Sequence, residues 1–373
     1  MNRPLRKPLP ISLPIVLVLA TTCAGPQPPI ASPPIEESFA ALSVRLSEPG
    51  GYFPSDNLVS NETSYLHVLG KLEQLGVSGG AYVGVGPDQN FSYIAAVRPD
   101  IVFIIDIRRD NLLHHLLFKA LFENARNRIQ YLSLLTGRPA PAANGNWETA
   151  DIGQLIEYID GTAPDPDAFD DAVRRVRASI ERFGFDLSQQ DFFTIRDIHA
   201  QFHHRGLDIR YSYAPRYPTY RQLLLETDLT GKERNYLAGE DSFRYLKDLE
   251  RRNRIIPIVG DLGGPHALRA VGQEIAARNL VVRTFYVSNV EQYLMRDSGF
   301  RNFAATVAEL PFDERSVLIR SYFMRGYGHP QYVPGHFSTQ LLELFDSFVD
   351  EFHNGGYGSY FDLVSKHVLP LRG

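Results

Sequence analysis

The chain has 373 residues, 44% of them hydrophobic and 22% charged, values of a folded globular protein that exclude wholesale disorder and a multi-span membrane architecture. A formal net charge of -5 supplies no basic excess for phosphate, so nucleic acid is not an expected partner. The single cysteine, Cys23, excludes an intrachain disulfide and a cysteine zinc cluster.

At the start of the chain Arg3, Arg6 and Lys7 precede a short apolar run from Ile11 to Ala20, which ends in small residues and then Cys23. This is the layout of a secretory signal, too short to span a bilayer as a mature helix. With the cysteine directly after "LATT" it resembles a bacterial lipoprotein signal, which implies a signal over 1–23 and lipidation of Cys23. The proline-rich residues 24–37 follow as an extended tether between a membrane anchor and the folded part. A working signal puts the protein in the cell envelope; without one it would be cytoplasmic.

From Ser38 onward the composition is that of a packed domain. Tyr65, Leu66, Leu69 and Leu72 predict a helix capped at Ser60 or Asn61, stopped by Gly76, Gly79 and Gly80. "AYVGVG" (81–86) reads as a strand, "QNFSYIAAVRP" (89–99) as a helix ended by Pro99, and "DIVFIIDI" (100–107) as a strand buried on both faces. A long amphipathic helix is expected from Asn111 to Leu135. Residues 137–253 break the alternation and predict a mostly helical insertion, with helices near 167–183, 188–203 and 240–252. Strand and helix then alternate again. "RIIPIVGDLGG" (254–264) is a strand and turn, "PHALRAVGQEIAARN" (265–279) a helix, "LVVRTFYVSNVEQYL" (280–294) a strand with a polar end, and "RSVLIRSYF" (315–323) another strand. "STQLLELFDSFVDEFH" (338–353) reads as a closing helix. The expected fold class is therefore α/β, a doubly wound, mostly parallel, Rossmann-like sheet carrying a large helical insertion within one domain over 38–373.

In such a sheet a ligand sits beyond the carboxyl ends of the strands, where strand order reverses. Gly84 and Gly86 allow a tight turn, the helix after them offers free N–H groups, and Asp106 stands where an acid would accept ribose hydroxyls. A dinucleotide normally requires a third glycine for its pyrophosphate, whereas S-adenosylmethionine, which has no phosphate, tolerates a looser loop. On these features residues 50–120 and 250–325 resemble the class I S-adenosylmethionine-dependent methyltransferase superfamily. The resemblance implies S-adenosylmethionine as cofactor, with Gly84 and Gly86 under its methionine part, Asp106 at the ribose and Asp261 near the adenine. The chain departs from the pattern at Tyr82, where an acid is usual, and at Asp88, in place of the third glycine. Over nearly all of the chain after the tether, "GYFPSDNLVSNE", "YVGVGPDQNFSYIA" and "FYVSNVEQYL" resemble an uncharacterised bacterial family with a Rossmann-like domain of unknown function.

Asn289, Glu291 and Tyr293 lie at or past a strand end, where Glu291 could act as general base and Asn289 or Tyr293 orient an acceptor; equally, the three could cap the following helix. His199, His203 and His204 include an i, i+4 pair but lack an accompanying carboxylate pattern, which favours a solvated helix end over a metal site. His114 and His115 read as helix surface and packing. "RYSYAPRYPTYR" (210–221) reads as an irregular packed loop, "RGYGHPQYVPGHF" (325–337) as a pocket rim, and "NET" (61–63) as a capping sequence. Two functions stay open. One is a methyltransferase-like enzyme acting on an unidentified acceptor. The other is a non-catalytic, membrane-tethered binding or interaction module with a degenerate methyltransferase fold, a reading that removes the conflict between an exported domain and a cytosolic cofactor. A nicotinamide-dependent oxidoreductase fits the incomplete phosphate fingerprint less well.

Overall fold

Two short apolar segments form the centre of the sheet. Ala81–Gly84 (β1) is buried at every position, and Ile101–Asp106 (β2) at every position but its last, and each has a hydrogen-bonded strand on both edges. The computed structural model describes residue 1 and residues 37–142, 145–211, 216–323 and 328–372, and residues 38–373 form one compact unit. Cys23 and almost all of the tether lie outside the described residues. Among the described residues no helix is long and apolar enough to cross a membrane.

The remaining strands are Ile255–Val259 (β3), Val282–Ser288 (β4), Val317–Phe323 (β5) and Ser338–Leu344 (β6). The six form an α/β sheet in the order β3-β2-β1-β4-β5-β6, parallel throughout except for β6, which runs antiparallel to β5. Chain order therefore reverses between β1 and β4. Helices α1 (Phe39–Leu46) and α2 (Leu69–Gln74) precede β1, and α3 (Gln89–Val97) joins β1 to β2. Between β2 and β3 stand α4 (Arg109–Asn124), α5 (Arg128–Thr136), α6 (Ile152–Gly161), α7 (Pro166–Arg182), α8 (Gln189–Arg205), α9 (Tyr220–Leu224) and α10 (Glu240–Arg251). Helix α11 (Ala267–Ala277) joins β3 to β4, α12 (Val290–Arg296) and α13 (Phe300–Glu309) lead to β5, and α14 (Phe345–His353) and α15 (Tyr360–Ser365) close the fold.

Three local expectations give way to other forces. The helix expected from Asn111 to Leu135 is two helices, because Ala125 is extended and Asn127 starts a new N-terminus by accepting the Gln130 N–H at 3.1 Å. Ser60 does not cap a helix; its Oγ accepts the Glu62 N–H in a turn, and α2 begins only at Leu69. The segment expected as a closing helix from Ser338 is β6 up to Leu344 and helix only from Phe345. The leucines are spaced for either period, and pairing with β5 decides for a strand, with Glu343 on Arg320 of β5 and Gln340 on Tyr93 of α3.

Candidate functional site

The carboxyl ends of β1 to β4 are the place to look for a ligand, and the chain's own residues occupy it. A side chain at Gly84 would put its Cβ 2.1 Å from Asn90 Oδ1 and 2.7 Å from the Tyr82 ring, so glycine is required there by internal packing. The Tyr82 hydroxyl donates to Asn90 Oδ1 at 2.8 Å, and Asn90 Nδ2 donates to the carbonyls of Val85 and Pro87 at 2.8 and 2.7 Å. Gly86 has φ +80°, and its carbonyl accepts from His115 Nε2 at 2.9 Å. Burial pushes the His115 pKa down to about 4, so the ring is neutral and Nε2 carries its one proton. The glycine turn is thus fastened by its own side chains.

Asp106, at the end of β2, is held by its neighbour two residues on. The Arg108 backbone N–H and Nε donate to Oδ1 at 2.9 and 3.1 Å, and a terminal nitrogen donates to Oδ2 at 3.1 Å. The other guanidinium nitrogen donates to the carbonyls of Asp56 and Ser55 at 2.7 and 3.3 Å. These carbonyls belong to a segment, residues 47–57, that crosses the strand ends. Its Glu48 and Gly51 N–H groups donate to the carbonyls of Val259 and Ile107 at 2.9 and 2.8 Å, and its Phe53 packs edge-on against Tyr293. At Gly50 a Cβ would stand 3.0 Å from Val259 and 3.1 Å from the Ile107 carbonyl, which is why the strip lies so flat. Asp261 accepts the Gly263 N–H in a turn at 2.9 Å, while Glu48 accepts the N–H groups of Asp261 and His266. Asp106 and Asp261 therefore face separate local partners. A cavity of about 160 Å³ beside Arg108 is lined by Asp56, Asn111, His114 and Gln201, and by neither Asp261 nor the two glycines.

The reversal point between β1 and β4 holds a carboxylate that sequence reading passed over. Glu62 is 1% exposed, and its Oε1 accepts from the Tyr286 hydroxyl at 2.8 Å and from Ser288 Oγ at 2.5 Å. Its Oε2 accepts from Gln89 Nε2 at 2.8 Å and from Gln340 Nε2 at 3.2 Å. Four donors from β4, β6 and the start of α3 satisfy the buried group. Ser288 takes a positive φ of 53° to reach it, a local strain that the hydrogen bond offsets. The only signal in the sequence is an acid in "SNET", which read as a cap.

Next to it, Asp88 is fully buried at the start of α3. Its Oδ2 accepts from the Tyr236 hydroxyl at 3.1 Å, which lies 2.8 Å from that of Tyr220. Both tyrosines come from the insertion between β2 and β3, so Asp88 locks that insertion to the glycine turn. Burial raises the Asp88 pKa from 3.8 to about 6, against the lowering effect of the tyrosine hydrogen bonds.

The residues considered for catalysis are distributed differently. Glu291 is 1% exposed, with Oε2 on Arg320 Nε at 2.6 Å, and Arg320 also bridges to Glu343, itself fully buried. Burial raises the carboxyl pKa of Glu291 and Glu343, opposed by Arg320. Asn289 sits at the N-terminus of α12 without a side-chain cap, and Tyr293 is engaged with Phe53 and under Arg296. Just past the end of β4, Glu291 is committed to Arg320 on β5. His199 and His203 are not a solvated helix end: both are buried, His199 Nε2 against the Leu134 carbonyl at 2.9 Å and His203 stacked on Phe169. His114 and His115 are buried too, and His114 Nε2 and Asn111 Oδ1 have no hydrogen-bond partner among the described residues. The aromatic loop and the proposed rim fall partly on residues 212–215 and 324–327, outside the described residues.

The sequence pattern of DUF7790, a domain of unknown function, matches residues 57–354. The chain belongs to this family. A search of curated proteins gives no match. The stretch matched to DUF7790 holds Glu62, Asp88, Asp106, Arg108 and Arg320, while most of the crossing segment precedes it.

The raised Asp88 pKa sets the direction of a pH effect. The folded state binds this proton more tightly than the unfolded chain, so the contribution to stability is complete below about pH 4 and is lost as pH rises through 6, on the order of 3 kcal/mol. Asp88→Asn removes the penalty. Urea unfolding at pH 4 and pH 7.5 is expected to find the variant similar to the native chain at the lower pH and more stable at the higher; a variant less stable at pH 7.5 contradicts this.

Proposed function

We propose that the chain is a non-catalytic binding or interaction module, built on a degenerate methyltransferase-like fold and held at a membrane through lipidated Cys23. The observation that carries this reading is the Arg108 fork on Asp106, roofed by the carbonyls of Ser55 and Asp56. An acid that would accept ribose hydroxyls already has charge-assisted donors on both oxygens. The doubly wound, Rossmann-like description is part of the same proposal. With strand order β3-β2-β1-β4-β5, right-handed crossovers put α3 and α11 on opposite faces of the sheet.

One observation favours the other reading, a methyltransferase-like enzyme that uses S-adenosylmethionine on an unidentified acceptor. The cavity beside Arg108 is lined by Asn111 and His114, whose buried Oδ1 and Nε2 have no hydrogen-bond partner among the described residues. Its volume of about 160 Å³ falls below the roughly 300–1,000 Å³ of ordinary small-molecule pockets, so the cofactor would have to displace residues 47–57. A nicotinamide dinucleotide is served less well, since the buried carboxyl of Asp88 stands at the helix start where a pyrophosphate would sit.

Calorimetric titration of the folded chain with S-adenosylmethionine and S-adenosylhomocysteine separates the two readings. The module reading expects no saturable heat up to millimolar ligand. Micromolar binding that disappears in Asp106→Ala overturns the filled-crevice argument for the module and favours the enzyme reading instead. For the anchor, cells fed labelled fatty acid are expected to label the full chain and not Cys23→Ser; equal labelling of both overturns lipidation at Cys23.

A further inference from the structure

We infer that His67, Glu226 and His336 form a binding site for a divalent transition metal of the zinc class. One ligand atom from each residue lies within 4.8 Å of the other two. Zinc bonds of about 2.0–2.2 Å in tetrahedral geometry place ligand atoms about 3.4 Å apart, so the set closes on an ion by side-chain rotation of about an ångström. Two imidazoles and a carboxylate leave coordination positions for water, as in open zinc sites and in two-histidine, one-carboxylate iron sites.

The three residues come from distant parts of the chain, and hydrogen bonds hold their backbones together. Glu226 follows α9 in the insertion, His67 precedes α2, and His336 precedes β6. Thr63 Oγ1 accepts the Phe337 N–H at 2.9 Å, and Ser64 Oγ donates to the Ser338 carbonyl at 2.8 Å, which fastens the His67 turn to the His336 loop. The Tyr65 hydroxyl donates to the Leu223 carbonyl at 2.8 Å and brings α9 alongside. The rings of His67 and His336 meet edge-to-face with centroids 4.5 Å apart, and His336 Nδ1 lies 3.2 Å from the Thr63 carbonyl and 3.7 Å from Glu226 Oε2. Glu226 Oε1 accepts the Thr227 N–H, leaving Oε2 toward the histidines.

The cluster lies at the edge of the fold. His67 is 6% exposed, whereas the side chains of His336 and Glu226 are each 18% exposed, which gives an ion and its water a way in. Arg372 opposes positive charge at His67 more strongly than Asp228 favours it. Asp228 is itself committed to Thr230 and Lys232, so the ligand set ends at three protein groups among the described residues. The other paired histidines differ: His199 and His203 have no carboxylate in reach of a shared ion among the described residues.

The test is titration of the chelator-stripped full chain with Co²⁺ alone, read by its visible absorption, followed by competition with Zn²⁺. One equivalent of Co²⁺ is expected to give the intense bands of a four- or five-coordinate ion, displaced by Zn²⁺. His336→Ala and Glu226→Gln, both at partly exposed positions, are expected to weaken binding at least tenfold, while His203→Gln leaves it unchanged. No saturable binding by the folded chain, or binding unaltered in both His336→Ala and Glu226→Gln, overturns the site.

Discussion

A guanidinium fork on one carboxylate decides what the strand ends of this sheet can do. Arg108 binds Asp106 through three donors and reaches two carbonyls of the crossing segment with its remaining nitrogen. Both side chains are about one-tenth exposed, where a broken pair leaves an uncompensated charge and the geometry is worth more than a surface ion pair. Because the fork also carries the segment above it, the acid, the arginine and residues 47–57 stand or fall as one unit. Glu48 and Gly51 extend that unit along β3 and β2 with main-chain hydrogen bonds.

The same logic recurs deeper in the molecule. Glu62 at the strand-order reversal, Asp88 at the glycine turn and Arg320 between Glu291 and Glu343 are each buried and each tie together segments far apart in sequence. Arg320 stacks its guanidinium over Phe348 as well, so α14 is held by the charge that β5 carries inward. Buried polar networks of this kind specify one arrangement, since any shift strands a charge without a partner. The Asp106–Arg108 fork fills the end of β2, and Asp88 the turn at the start of α3, with the chain's own partners, and on these two the proposed module reading rests.

The parallel centre of the sheet was legible in the sequence, because strands buried on both faces leave unbroken apolar runs such as "IVFIID" and "IIPIV". The edge was not: β6 carries Gln340 and Glu343 among leucines, and its strand character depends on Tyr93, Glu62 and Arg320 across the sheet. Gly84, Gly86 and Asp106 do lie together at the strand ends, as their spacing suggests. What spacing cannot reveal is who already holds them: Arg108 is two residues from Asp106 and reads as an ordinary helix-start arginine, and the crossing segment reads as a loop. The His67, Glu226 and His336 cluster was invisible for a plainer reason, since its members are brought together only by the insertion and the β5–β6 connection.

Amide hydrogen exchange at Glu48, Gly51 and Arg108, followed with and without S-adenosylmethionine, tests the closed crevice most directly. If the crossing segment is a fixed part of the fold, these N–H groups exchange as slowly as those of β2, through global unfolding, and the added nucleoside changes nothing. Exchange through a local opening, or protection that shifts when the nucleoside is added, would mean a lid over a working cofactor site and would contradict the account.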